Sequence, residues 1–264
     1  MRWTSPLLAA CFLLSDQRPI TDDSREEIVT LARPAPPMTA DEKLEAIMRT
    51  DPMRFLTMSL EKYDKEIQGY SLTFLKQEKI AGKMKPREKL ECHFREAPFG
   101  VTMKWIEGKG LASKVLFASG ENNDKMLARP FAAFLPIMTR DVDGPDAKNS
   151  GRFTIAQFGF KKSTERTLDR MKKSADLGKL HVRYEGRVHV PALNETCHKF
   201  VRFPYDPPEE DDLNELTLYF DMKHWLQVGS ILKDSKGQRI AEYFFYDLIL
   251  NPTHGKNEFR REGL

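Results

Sequence analysis

APFGVTMKWIEGKG, residues 97–110, alternates apolar and polar side chains without a break. Phe99, Val101, Met103 and Trp105 fall on one side, and Gly100, Thr102 and Lys104 fall on the other. Successive side chains of a strand point to opposite faces, so the pattern predicts a half-buried β-strand with one large apolar face. That face must rest against a helix of its own chain, a second subunit or an apolar ligand.

The segments around it extend the pattern. Residues 70–80 (YSLTFLKQEKI) and 88–96 (EKLECHFRE) read as strands, with Leu90, Cys92 and Phe94 alternating with polar neighbours. Residues 113–119 and 125–129 complete a first run of about five, joined by turns too short for parallel crossovers. Two helices precede it. Residues 39–50 open with a capping threonine, and residues 51–69 set Asp51 at the cap, Pro52 in the first turn and Leu56, Leu60, Tyr63 and Ile67 in one stripe.

After the run the chain changes character. Residues 129–138 are apolar and bracketed by prolines, with Phe131, Phe134 and Leu135 expected in the core or in a lid. Residues 141–153 have loop chemistry, with Asp143 and Arg152 a candidate ion pair. Residues 163–178 predict a third helix with Leu168, Met171 and Ala175 inward. Lys162, Arg166, Arg170 and Lys173 form a basic stripe that is either a solvent face or a dock for an anionic headgroup or acidic partner. A second strand run follows at 179–190, 196–203, 215–222, 225–234 and 239–250. In 179–190, Leu180, Val182, Tyr184, Val188 and Val190 face one way, and His181, Arg183, Glu185, Arg187 and His189 the other.

The 264 residues are 40% hydrophobic and 31% charged, which argues against a disordered chain or a polytopic membrane protein. A net charge of +3 does not supply the clustered basic footprint of a nucleic-acid binder. Residues 1–38 read as a leader and flexible spacer. The apolar run Pro6–Leu14 has the length of a secretory core and is too short for a bilayer span of about 20 residues. This predicts export to the periplasm or cell envelope, without a lipid anchor at Cys11. Cys92 and Cys197 could pair in that setting or remain buried thiols.

No catalytic or metal signature emerges. His181 and His189 share a face but lie about 26 Å apart on an extended strand, and Cys197 and His198 point to opposite faces. The acids of 207–215 (PPEEDDLNE) match no calcium-loop spacing and read as a solvated linker. No cofactor is implied.

The element count suggests a cavity. Ten strands at about 4.8 Å spacing span about 48 Å, whereas three helices cover about 30 Å. Part of the apolar sheet face is left over.

The stretch YSLTFLKQEKIAGKMKPREKLECHFREAPFGVTMKWIEG resembles the family catalogued as domain of unknown function 1571. The resemblance rests on Lys76, Gln77 and Glu78, on Gly82, on Arg95, Pro98, Phe99 and Val101, and on Lys104 with Trp105. Asp141, Asp143, Pro145, Arg152, Gly159 and YDLILN at 246–251 extend it. It covers roughly residues 52–262. It implies an α+β fold similar to the lipoprotein carriers LolA and LolB: a curved, mostly antiparallel open half-barrel of about ten strands with helices on the concave side. Residues 39–264 would form that single domain.

The expectation is a non-enzymatic envelope protein that holds a lipid, acyl chain or lipidated peptide. The expected binding residues are Leu90, Phe94, Phe99, Val101, Met103, Trp105 and Phe117, with an envelope protein as a further partner. The alternatives are a structural or interaction protein with a filled core, and an enzyme of unrecognised type.

Overall fold

The computed structural model describes residues 37–108, 112–132, 134–205 and 212–264. The expected leader with Cys11, and residues 207–211 of the acidic linker, lie outside these.

Two capped helices come first. In α1 (Ala40–Thr50) the Thr39 hydroxyl accepts from the Glu42 amide while the Glu42 carboxylate accepts from the Thr39 amide, a reciprocal capping box. In α2 (Pro52–Glu66) Asp51 accepts from the Arg54 amide, and Pro52 sits where its missing N–H is not needed.

The chain then meanders outward through β1 (Gly69–Ile80), β2 (Lys83–Met84), β3 (Glu88–Arg95), β4 (Gly100–Glu107), β5 (Lys114–Ala118), β6 (Met126–Arg129) and β7 (Met138–Arg140). It crosses back through α3 (Pro145–Ser150) and α4 (Phe160–Asp176). It returns through β8 (Val182–Val190), β9 (Glu195–Arg202), β10 (Leu213–Asp221), β11 (Gln227–Asp234) and β12 (Arg239–Leu250). The sheet order is β7-β6-β5-β4-β3-β1-β12-β11-β10-β9-β8, with β2 pairing β1, and every pair is antiparallel. The two meanders thus meet at β1 and β12, where Phe74 pairs with Phe245. The end strands β7 and β8 do not pair with each other, so the curved sheet stays open. This is the expected half-barrel, and Met38–Leu264 form one compact unit. The sheet has twelve strands rather than about ten. The additions, β2 and β7, are two and three residues long, too short to show alternation.

Both faces are occupied, by different means. On the concave face Phe55 of α2 stacks on Phe200 at 5.3 Å and meets Phe220 edge-on at 5.2 Å. On the outer face of β4–β6, the C-terminal stretch packs Phe259 against Leu116, Ala118 and Leu127. Nearby, the Thr102 hydroxyl donates to Glu258 at 3.1 Å.

Three expectations are corrected. The alternation of 179–190 breaks at a bulge between Tyr184 and Gly186, where Gly186 takes φ +91°. Past it Arg187 reaches the helix side and pairs with Asp41 and Glu45 of α1. An isolated glycine inside a strand was the available signal for this. Phe131, Phe134 and Leu135 are not core: they stand 49%, 88% and 46% exposed at the β6–β7 connection. The third helix begins three residues early, at Phe160, because its cap is tertiary. The Phe160 amide donates to the buried Tyr70 hydroxyl at 3.2 Å, and no serine or aspartate at position 159 announces it. Cys92 and Cys197 are buried and unpaired, so no disulfide links the two strand runs.

Candidate functional site

The antiparallel register sorts the concave side chains into rungs running across the strands. One rung is Tyr70, Phe94, Val101 and Phe117. The next carries Met103, Val115, Ala128 and Met138, and a third carries Phe74, Leu90 and Trp105. The helices cover these rungs unequally.

The first rung is closed by the start of α4. Tyr70 stacks on Phe94 at 4.5 Å, Phe160 lies 4.8 Å from Tyr70, and Phe158 lies 6.3 Å from Phe94. Phe99 packs edge-on against Phe94 at 5.4 Å and lies 5.8 Å from Phe117. Gly159 makes the approach possible. Its φ is +124°, and a Cβ there would sit 3.1 Å from the Phe94 ring and the Tyr70 hydroxyl.

The second and third rungs open onto a cavity of about 860 Å³. It lies within the range of about 300–1,000 Å³ common for ligand pockets. Of the expected binding residues, Leu90, Met103 and Trp105 line it. Phe94, Phe99, Val101 and Phe117 do not: they lie on or beside the first rung, where the α4 start packs against Tyr70 and Phe94. All seven side chains lie toward the concave side. Alternation assigns a face, but only the position of α4 decides which part of that face stays uncovered.

The cavity has two ends of different chemistry. The apolar end is the N-terminal half of the sheet, with Met103, Val115, Met126, Ala128 and Met138. The polar end is formed by Ser163, Arg166, Thr167 and Arg170 of α4 with Gln227 and Ser230 of β11. The α4 residues follow an i, i+3, i+4, i+7 spacing, which puts them on one helix face. Gln227 donates to the Ser163 hydroxyl at 2.9 Å, and Thr167 donates to the Ser163 carbonyl oxygen at 3.0 Å. This corrects a solvent reading of the basic stripe. Arg166 and Arg170 line the cavity, Lys162 lies 4.8 Å over the Phe99 ring, and Lys173 is exposed.

A buried charge cluster forms one wall. Lys76 lies 3.1 Å from both Glu78 and Glu88. The indole N–H of Trp105 donates to the other oxygen of Glu88 at 2.8 Å. Glu78 also accepts from the Tyr243 hydroxyl at 2.6 Å and from the Arg152 amide at 3.2 Å. Burial works against the Lys76 charge, but Glu78 and Glu88 outweigh it and hold the ammonium above its ordinary pKa. Burial, reinforced by Glu78, pushes the Tyr243 phenol well above its ordinary value. The Arg152 amide bond ties the segment after α3 to the sheet. Asp143 is not the ion-pair partner expected for Arg152: it accepts from the Thr154 hydroxyl at 3.5 Å.

A second depression, about 580 Å³, lies on the outer face of β8–β11. Its rim is charged, and Lys199–Glu185 and Lys233–Glu215 pairs at 2.8 and 2.7 Å tie its walls together. Leu180, Val182, Val201 and Ile231 share its lining with these ion pairs. Among the described residues, no group of three histidine, cysteine or acidic side chains could hold a metal, and no helix is long and apolar enough to cross a membrane.

An open antiparallel half-barrel around a two-ended cavity defines the class of this protein. The chain belongs to the DUF1571 family of proteins of unknown function, whose family model matches residues 67–262. Among solved structures it is similar to the Mycobacterium tuberculosis lipoprotein LppX, with 11% identity over 78% of this chain and 99% of that one, TM-score 0.42. It is also similar to a LolA superfamily protein from Nitrosomonas europaea, with 7% identity over 79% and 99%, TM-score 0.38. A DUF1329 family protein from Desulfovibrio piger gives 12% identity over 81% and 98%, TM-score 0.39. Over 146 residues the chain is 23% identical to the cysteine–tRNA ligase of Paenarthrobacter aurescens, covering 54% of this chain and 28% of the ligase.

Proposed function

We propose that this protein is a non-enzymatic binding protein that holds a hydrophobic ligand, such as a lipid or an acyl chain, in the cavity between its N-terminal strands and α4. One observation carries the reading: Met103, Val115, Ala128 and Met138 form a contiguous apolar rung that lines the cavity. Apolar burial supplies about 0.8 kcal/mol per CH₂ taken from water, so a long chain binds well without strong polar contacts. The commitment of the wall carboxylates supports binding over catalysis. Glu78 and Glu88 are both held in ion pairs and hydrogen bonds. The apolar run Pro6–Leu14 supports a cell-envelope setting.

The test is a titration of the full chain with a fluorescent fatty acid, alongside native mass spectrometry. Saturable binding of one ligand per chain is expected. Ala128→Phe fills the apolar end and should weaken binding roughly tenfold or more. Arg183→Gln, on the outer face, should leave it unchanged. Absence of saturable binding, or an Ala128→Phe variant that binds like the parent, refutes the reading.

A further inference from the structure

The charged groups that line the cavity are not all paired alike. The carboxylates that line it all have cations beside them: Glu78 and Glu88 meet Lys76, and Asp146 meets Arg140 at 2.6 Å. Arg166 is different. Its guanidinium donates to the Gln157 carbonyl oxygen at 3.3 Å and lies 4.3 Å over the Phe153 ring. Among the described residues it makes no ion pair with a carboxylate, and the charged group acting on it is another cation, Arg170. Burial pushes the Arg166 pKa down against an opposing effect of Tyr243, and the neighbouring Arg170 adds to the lowering. Ser163 and Thr167 flank it on the same helix face and add hydroxyls to the same end. Met103, Val115 and Ala128, on the N-terminal strands, supply apolar lining.

We propose that the ligand is an anionic amphiphile, an acyl chain ending in a carboxylate or a phosphate monoester, whose head is received by Arg166 while its chain lies on Met103, Val115 and Ala128. The proposal rests on the reading of the cavity as a hydrophobic-ligand site and adds the polarity and orientation of the ligand. A guanidinium matches both heads, because its fork of N–H donors meets two oxygens of either anion. The head also supplies a counter-charge for Arg166, which meets no carboxylate among the described residues.

The experiment compares palmitate, 1-palmitoyl lysophosphatidate and hexadecanol as displacers of a bound fluorescent probe, on the full chain at mildly alkaline pH. Inorganic phosphate is a fourth arm. At least one of the two anions should bind roughly tenfold or more tightly than the alcohol, as a charge-assisted contact predicts. Whichever anion shows the larger gain identifies the head. Arg166→Gln should bring that ratio close to one by weakening the anion alone, and Arg166→Lys should restore part of it. Equal binding of alcohol and anions by the parent protein overturns the proposal while leaving the hydrophobic-ligand reading intact. Failure of every amphiphile to bind sinks both. Inorganic phosphate binding as tightly as lysophosphatidate overturns the amphiphile in favour of a free-anion site. Should Arg166→Gln fail to fold, the parent ratio and the Arg166→Lys variant still decide.

Discussion

On the C-terminal wing of the sheet, Phe55 of α2 lies 5.3 Å from Phe200 and 5.2 Å from Phe220, and the three rings fill the space between helix and strands. On the N-terminal wing, Met103 and Val115 occupy the same concave face but look onto a cavity of about 860 Å³. Both wings are antiparallel meanders of alternating strands. They differ in what arrives to cover them. The helices share the work unequally: α1 and α2 lie toward β8, α4 lies toward β11 with its start over the Tyr70–Phe94 rung, and the short α3 brings Ala147 to the cavity wall. A folded chain buries apolar surface wherever an element is available, and what remains becomes either a liability or a site.

The largest expected contrast is in stability. Phe55→Ala removes a ring enclosed on all sides and should cost about 3–5 kcal/mol, the lost transfer energy plus a new cavity. Met103→Ala removes a side chain that already borders empty space. It should fall at the low end of the range of about 2–5 kcal/mol for such truncations, because little new cavity forms. Chemical denaturation of both variants measures the difference. Equal losses would mean that the N-terminal wing is as tightly packed as its counterpart.

Fluorescence gives a smaller and sharper contrast. Trp105 lines the cavity, with its indole N–H on Glu88, whereas Trp225 lies on the other wing beneath the Lys62 ammonium, 4.6 Å from the ring centroid. Ligand should shift or quench the emission of Trp105. Trp105→Phe should abolish that change and Trp225→Phe should preserve it. A response that follows Trp225 instead would move the site to the C-terminal wing.

The smallest effect concerns pH. His198 lies on the covered wing, where its ring nitrogen meets the Tyr184 hydroxyl at 2.8 Å and burial lowers its pKa. Folding therefore favours the neutral ring. The corresponding stability is fully present above the ordinary histidine pKa of about 6.5 and is lost as pH falls toward the lowered folded value. His198→Gln should flatten that acid-side slope in denaturation curves measured across this window. An unchanged slope would assign the acid sensitivity to other groups.

Much of the fold was legible because alternation is a local property. Leu90, Cys92 and Phe94, and then Val101, Met103 and Trp105, declare their faces by period two alone. Asp51, Pro52 and Thr39 declare their helices by capping chemistry. The start of α4 was not legible, since its cap is the Tyr70 hydroxyl, 90 positions away in the chain. The break in β8 was only hinted at by Gly186. The site was half legible: the sequence marks the concave face and its surplus, but nothing local distinguishes Val101 from Met103.

The sequence by itself determined a sheet of alternating strands with too few helices to cover it, because periodicity and composition act over a few residues at a time. The tertiary structure decided where the uncovered part falls. It placed Phe160 on Tyr70 and so closed one rung, left Met103, Val115 and Ala128 facing space, and turned Arg166 from an expected surface charge into one end of a cavity. The physical reason is that coverage depends on where a helix lands on the sheet. That landing is fixed by contacts between residues far apart in the chain, here through the absent side chain of Gly159.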